Sequence, residues 1–484
     1  MPNDEQQRGV VFPATDDGRR STTAVGRAVV AASLRPVDAV GARAAEQETS
    51  WRSSYVAHFR RAVEAGVGAR ADALAVAASG ISAVHERMRV VGEDGAERRL
   101  DAWPAGASVL GTERIVGVGD PETELSLPYR GQRLRGDAIR RRIDAWVDDG
   151  IAEPTLAEAV GRVLEHPEWL RLEGHTVAVL GAGAEMGPLP SLLRWGARVA
   201  ALDLDRPQIW DRVLSSAHAG AGTVLVAKRS EAAGPGVDLV ADVPAVADWL
   251  AEQEGRLVLG NYVYADGATN VRVSTAVDEL CRRLLLARPD AALAFLATPT
   301  DVFAVPGEAV DASNRAYDQR SPRSRLLGRP LRTLSGGRLL RRSYAPGSDP
   351  GINDSLVTQQ GPNYALAKRL QRWRAVVARD AGSTVSMSVA PPTRTRSVVK
   401  NRALAAAYAG AHRFGVEVFE PATSNVLMAA LLVHDLHTDG GPRHEEPWQD
   451  EAYAAVHGGL WRTPYAPRSA LGLAALLGYG ATRG

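Results

Sequence analysis

The sequence predicts an α/β fold, a doubly wound parallel sheet preceded by a mainly helical region and interrupted by an arginine-rich insertion. Three observations predict it. From residue 175 onward, short apolar runs alternate with helical stretches, the pattern that lays helices on both faces of a parallel sheet. The first run, His175–Leu180, enters a glycine-rich turn at residues 181–187. The second, at residues 196–202, ends in Asp203, 22 positions after Gly181.

Composition narrows the class. A chain of 484 residues can bury a large core and has room for more than one domain. Apolar residues at 45% and charged residues at 23% are those of a globular protein. A net charge of +1 gives no global field towards nucleic acid, and no nucleic-acid partner is expected. Cys281 is the only cysteine, which rules out an intramolecular disulfide and fits a cytoplasmic location. No secretory signal is recognised, and no apolar run approaches the ~20 residues of a membrane helix. The CxxC, HExxH and EF-hand patterns are missing, so no metal is expected.

In chain order, residues 1–20 are polar and turn-rich, and a disordered tail is expected there. Residues 21–170 read as mainly helical. Residues 50–88 form two helical segments parted at Gly66 and Gly68, and Glu93-Asp94-Gly95 sits at the tip of a hairpin. Residues 137–149 repeat Ile139, Ile143 and Trp146 at helical spacing and stop at Gly150. Pro154-Thr155 opens another helix that ends near His166-Pro167. None of this region carries a motif for chemistry. Residues 171–484 carry the sheet, with further strands expected at residues 237–240, 256–259, 291–296 and 384–389.

The insertion spans about residues 301–352. Between Arg315 and Arg342 it holds nine arginines, while Pro330, Gly336 and Gly337 argue against one long helix. Two readings are open: a solvated surface loop, or a basic lid that meets phosphate, carboxylate or an anionic membrane. Near the end, residues 457–465 place His457, Trp461 and Tyr465 before an apolar helix at 469–477. They line a pocket or dock that helix.

A strand that enters a glycine-rich turn and then a helix is a natural pyrophosphate site, with exposed N–H groups and a partial positive charge. Gly181 suits the tight turn, Gly183 close approach and Gly187 packing of the helix on the sheet. Asp203 suits ribose hydroxyls and repels a 2′-phosphate, so NAD is favoured over NADP, which Arg206 keeps open. The same glycines and Asp203 equally suit S-adenosylmethionine in a methyltransferase.

Tyr364 and Lys368 form a second constellation. The chain has only three lysines, Lys228, Lys368 and Lys400, against 54 arginines. On a helix, positions i and i+4 share a face, so phenol and ammonium can converge. The cation would favour phenolate and lower the Tyr364 pKa, making it a usable general acid or base. The plainer reading is an ordinary amphipathic helix.

Together these motifs resemble the short-chain dehydrogenase/reductase superfamily, in a divergent and enlarged form, over residues 174–433. Gly181 and Gly187 match the outer glycines of its G-x-x-x-G-x-G turn, with Glu185 at the middle one. Asp242-Val243 resembles the adenine-contacting pair, and Asn261 the start of the Asn-Asn-Ala-Gly motif. Asn270 matches the residue that holds a proton-relay water. Thr298 stands where a substrate-polarising Ser is expected, with Thr300 and Ser355 as alternatives. Pro392 replaces the glycine of the Pro-Gly loop, leaving Thr393 or Thr395 for the nicotinamide carboxamide.

The resemblance implies a Rossmann-like sheet, NAD as cofactor and hydride transfer between nicotinamide C4 and a carbonyl or alcohol carbon of a small-molecule substrate. Tyr364 would exchange the proton, Thr298 would hold the oxygen, and Lys368 would tune Tyr364 and hold the ribose. Asn270 would link Lys368 to solvent. The family's dimers and tetramers, formed through the Tyr–Lys helix, make a homo-oligomer an open expectation. Glu185 and Pro392 motivate a further reading, a nucleotide-binding scaffold without turnover.

Overall fold

The computed structural model describes residues 8–15, 18–104, 109–229 and 234–479. Its centre is a seven-stranded sheet. Six strands run parallel, in chain order His175–Leu180, Arg198–Leu202, Thr223–Arg229, Arg256–Asn261, Ala292–Ala297 and Val385–Val389. Numbered in that order, they lie across the sheet as six, five, four, one, two, three. This is the doubly wound order of dinucleotide-binding sheets, with its switch point between strands one and four. Leu110–Val116 pairs antiparallel with the third strand and closes that edge.

The inner strands read as unbroken apolar runs because both faces are covered. Alternate residues enter opposite cores. Ala178, Leu180, Leu257, Leu259 and Leu293 enter one, while Val177, Val179, Val258, Ala292 and Ala294 enter the other. The first core is roofed by Thr22–Leu34, Trp51–Ala65, Arg70–Arg87, Val243–Ala251, Ala268–Ala287 and Pro362–Asp380. The second takes Asp137–Asp148, Thr155–Glu165, Leu189–Trp195, Pro207–Ala219 and Pro421–His437. The amino-terminal helices therefore complete both layers of the sandwich. Tyr55 adds a bond across it, its hydroxyl donating to the Val357 carbonyl at 2.9 Å.

Two expectations need correction. Residues 237–240 are no strand: the Asp238 carboxylate accepts the Val240 N–H at 2.9 Å, a local turn that competes with sheet pairing. The third parallel strand is Thr223–Arg229. The tail is also not wholly disordered, because Gly9–Val11 is a buried strand paired antiparallel with Arg89–Val91. Residues 1–7 and 16–17 of that tail lie outside the described residues.

The arginine-rich insertion begins and ends in a two-stranded pair, Val302–Val305 against Gly351–Asp354. Between them stand two helices, Gly307–Asp318 and Pro322–Leu334, the second with Pro330 inside it.

Candidate functional site

The fifth strand ends at Ala297, and the helix Pro362–Asp380 crosses the sheet beside that end. Their meeting brings Thr298 and Tyr364 together across 66 positions of sequence. Thr298 lies beside the Tyr364 phenol and favours its ionised form. Thr298 Oγ1 lies 3.0 Å from Thr300 Oγ1, which accepts from Gln360 Nε2 at 2.8 Å. A short polar chain thus runs Gln360, Thr300, Thr298, Tyr364. Lys368, one turn further on, donates from Nζ to the Leu296 carbonyl and to Gln371 Oε1, each at 3.2 Å.

The electrostatics differ from the sequence expectation. Burial pushes the Tyr364 phenol up to about 12, and the neighbouring Thr298 offsets only part of that. Burial also draws Lys368 down to about 8. The ammonium is spent on Leu296 and Gln371, so it does not lower the Tyr364 pKa as the i, i+4 spacing suggested. Gln371 is the partner that sequence reasoning missed, although it sits at i+3 from Lys368 on the same helical face.

Two more phenols surround Tyr364. The Tyr264 ring meets it edge-on with centroids 6.3 Å apart, and its hydroxyl donates to Asp266 Oδ1 at 2.8 Å. Tyr408, on the helix Arg402–Gly410, is a neighbour of Tyr364, and burial pushes its phenol up to about 12. Isolated tyrosines carry no spacing signal, and neither was legible beforehand.

A buried ion network fixes this half of the site. Asp301 pairs with Arg369 at 3.0 Å and Arg372 at 2.8 Å, and Arg372 continues to Glu451 at 2.5 Å. Burial raises the Asp301 pKa, but the two arginines outweigh it and hold the carboxyl below its usual range. Because Asp301 follows the strand end and both arginines lie on the Tyr364 helix, the network sets the register of Thr298 against Tyr364.

At the switch point, Gly181 has φ +79°, and a Cβ there would lie 3.1 Å from the Tyr262 carbonyl oxygen. Turn geometry and close approach both call for glycine. Gly183 donates its N–H to Asp203 Oδ2 at 2.9 Å, while Asp203 Oδ1 accepts from the Leu204 N–H at 2.8 Å. A Cβ on Gly183 would lie 2.7 Å from Ile209 Cγ2, so the helix Pro207–Ala219 occupies the space it leaves. The Gly187 carbonyl accepts from the Asn425 amide, and the next helix begins at Leu189 behind Pro188. Glu185 reaches across to the segment after the sixth strand: Oε2 accepts the Arg396 N–H at 2.8 Å and Oε1 lies 2.9 Å from Arg396 Nε.

Other expected contacts are spent within the chain. Val243 is fully buried, and Asp242 is buried in an ion pair with Arg229, so neither presents itself to an adenine ring. Asn270 Oδ1 accepts the Ala265 N–H at 3.3 Å, holding the loop after the fourth strand; Lys368 turns to Gln371 instead. Asn261 lines a small buried space together with Ser274 and Gln371. Thr393 Oγ1 donates to the Pro391 carbonyl at 2.8 Å and lies 2.7 Å from Ser424 Oγ, whereas Thr395 contacts Ser397 at 2.9 Å. Ser355 is buried and donates to Asn353 at 2.6 Å. His457 is buried too, 3.0 Å from Glu153 and stacked on Trp461, so residues 457–465 dock the carboxyl-terminal segment.

No protein-family model matches this chain, and no curated protein matches it in sequence.

Proposed function

We propose that this chain is a nicotinamide-dependent oxidoreductase of the short-chain dehydrogenase/reductase type, acting on a small carbonyl substrate in the direction of reduction. The observation that carries the reading is the placement of Tyr364 beside Thr298 at the carboxyl end of the fifth strand, one helical turn from Lys368. Ligands of doubly wound sheets bind outside those strand ends.

When bound, the cofactor supplies the hydride. The chain's own residues handle the oxygen. A phenol raised to about 12 keeps its proton at neutral pH, which makes Tyr364 a poor base and a serviceable acid. It gives that proton to the substrate oxygen, while Thr298 hydrogen-bonds the same oxygen as negative charge grows. Tyr264 and Tyr408 flank the Tyr364 phenol. Gly181 and the switch point fit a dinucleotide, and Asp203 fits NAD, with Arg206 leaving NADP open. Gly183 and Asp203, one suited to pyrophosphate and the other to ribose, satisfy each other here and exchange that bond for the ligand.

The test is calorimetry with NADH and NADPH, followed by turnover of a carbonyl panel. The expected result is NADH binding by both wild type and Tyr364→Phe, with hydride transfer only in wild type. Binding of S-adenosylmethionine alone would overturn the reading in favour of a methyltransferase, for which Tyr364 and Lys368 have no task. The Glu185–Arg396 and Gly183–Asp203 contacts favour one second reading, a nucleotide-binding scaffold. NADH binding by wild type with no transfer to any carbonyl supports it.

A further inference from the structure

We infer that the corner built from the arginine-rich insertion, the helices of residues 396–410 and the carboxyl-terminal helix docks on an anionic lipid bilayer. This goes beyond the proposed chemistry and does not depend on it. The three segments form one packed unit. Leu340 donates its N–H to the Ser469 carbonyl at 3.2 Å, and Ala466 donates to the Arg341 carbonyl at 2.8 Å. Phe414, Tyr465, Leu340, Ala470 and Leu473 share one small core. The helices Arg402–Gly410 and Pro467–Gly478 pack so closely at Gly410 that no Cβ fits beneath the Ala474 carbonyl.

The outer surface of this unit carries exposed large apolar side chains. Leu334 is 87% exposed, Leu326 74% and Leu476 71%, with Leu477 and Val399 also exposed. Leu326 and Leu334 are two turns apart and share one side of their helix. The exposed groups sit on three separate helices and line no single groove, which suits a fluid surface better than a folded partner.

Charge selects the kind of surface. The chain as a whole carries +1. Residues 315–342 nevertheless hold nine arginines and one acid, Asp318, while residues 394–413 hold five basic residues and no acid. Arg338, Arg341, Arg394, Lys400, Arg402 and Arg413 are exposed and make no salt bridge among the described residues. Exposed leucines and unpaired basic residues on one unit supply the two components of interfacial binding to acidic lipid: insertion of apolar side chains and attraction of about 1 kcal/mol per basic residue. Among the described residues no helix is long and apolar enough to cross a membrane, so the contact is peripheral. The Arg402–Gly410 helix also carries Tyr408, a neighbour of Tyr364.

The experiment is flotation of the full chain with vesicles of phosphatidylcholine, alone or mixed with phosphatidylserine. Flotation with the mixed vesicles only, lost at high salt, is the expected result. A charge-reversed variant, Arg394→Glu with Lys400→Glu and Arg402→Glu, should bind at least about tenfold more weakly, on the order of the energy expected per basic residue. Leu334→Asp with Leu476→Asp, which changes only exposed side chains, should weaken binding while the melting curve stays unchanged. Flotation with neither vesicle, equal flotation with both, or no effect of either variant would overturn the proposal. Capture by polyglutamate without flotation would give the corner to an acidic polypeptide instead.

Discussion

The two halves of the candidate site are built in opposite ways. Around Tyr364 the contacts are buried and multiply ionic, with Asp301, Arg369, Arg372 and Glu451 tying the fifth strand to the Tyr364 helix. Around the glycine turn the ion pair is single and open to water, for the Arg396 side chain that meets Glu185 is 68% exposed. Removing one partner of a buried pair costs about 3–5 kcal/mol, whereas an exposed pair contributes about 0–1. The difference teaches that the half around Tyr364 is held in register by buried charge, while the Glu185–Arg396 contact at the glycine turn can be exchanged at little cost.

The contrast can be broken at the rigid half first. Asp301→Ala leaves Arg369 and Arg372 without their shared carboxylate, and calorimetric unfolding should show a loss of about 3–5 kcal/mol. A loss under 1 kcal/mol would mean the network does not hold the site. Tyr364→Phe keeps the ring and removes the proton, so carbonyl reduction should fall by roughly 10²–10⁴ with NADH affinity retained, measured by stopped-flow absorbance.

Lys368 gives a smaller effect with a definite sign. Its pKa is about 8 in the fold against an ordinary 10.5, so between those values the unfolded chain binds more protons than the folded one. Stability from this group therefore rises with pH across that window, and below pH 8 the buried ammonium carries its whole cost. Denaturant titrations from pH 7 to 10.5 should show that rise in wild type and a flatter profile in Lys368→Met. Glu185→Gln should produce the smallest change. Without its carboxylate beside the phosphate loop, NADH affinity should rise less than about fivefold, within the range of an exposed ion pair. A fall in affinity would make the Glu185–Arg396 contact part of the bound form.

The legible parts of the molecule were those where pattern and partner coincide. Apolar runs such as residues 256–261 could only be strands buried on both faces, and Thr298 and Tyr364 met because the insertion between them folds back on itself. Side-chain direction was not legible. Spacing put Lys368 on the face of Tyr364, yet only the packed structure gave its ammonium to Leu296 and Gln371. Position identified Asp203 at the end of the second strand but not that its carboxylate would serve its own glycine turn. The third strand was misplaced because Thr223–Arg229 ends in Lys228 and Arg229, while residues 237–240 look more apolar until Asp238 is allowed to bond Val240. The amino-terminal helices showed apolar stripes without naming the sheet face that each would cover. They also roof the Tyr364 helix, through Thr22–Leu34 and Arg70–Arg87.

The paired strands at the base of the insertion have a consequence for how this chain can change. Val305 lies opposite Gly351, so the polypeptide departs from the scaffold and rejoins it at one doorway. Beyond that doorway the exposed part of the detour can lengthen without moving the strand pair that closes it. Doubling it costs only about 0.6 kcal/mol of closure entropy. A lineage can therefore rewrite the arginine-bearing detour, and whatever surface it addresses, while the hydroxyl pair at the sheet's edge stays in place.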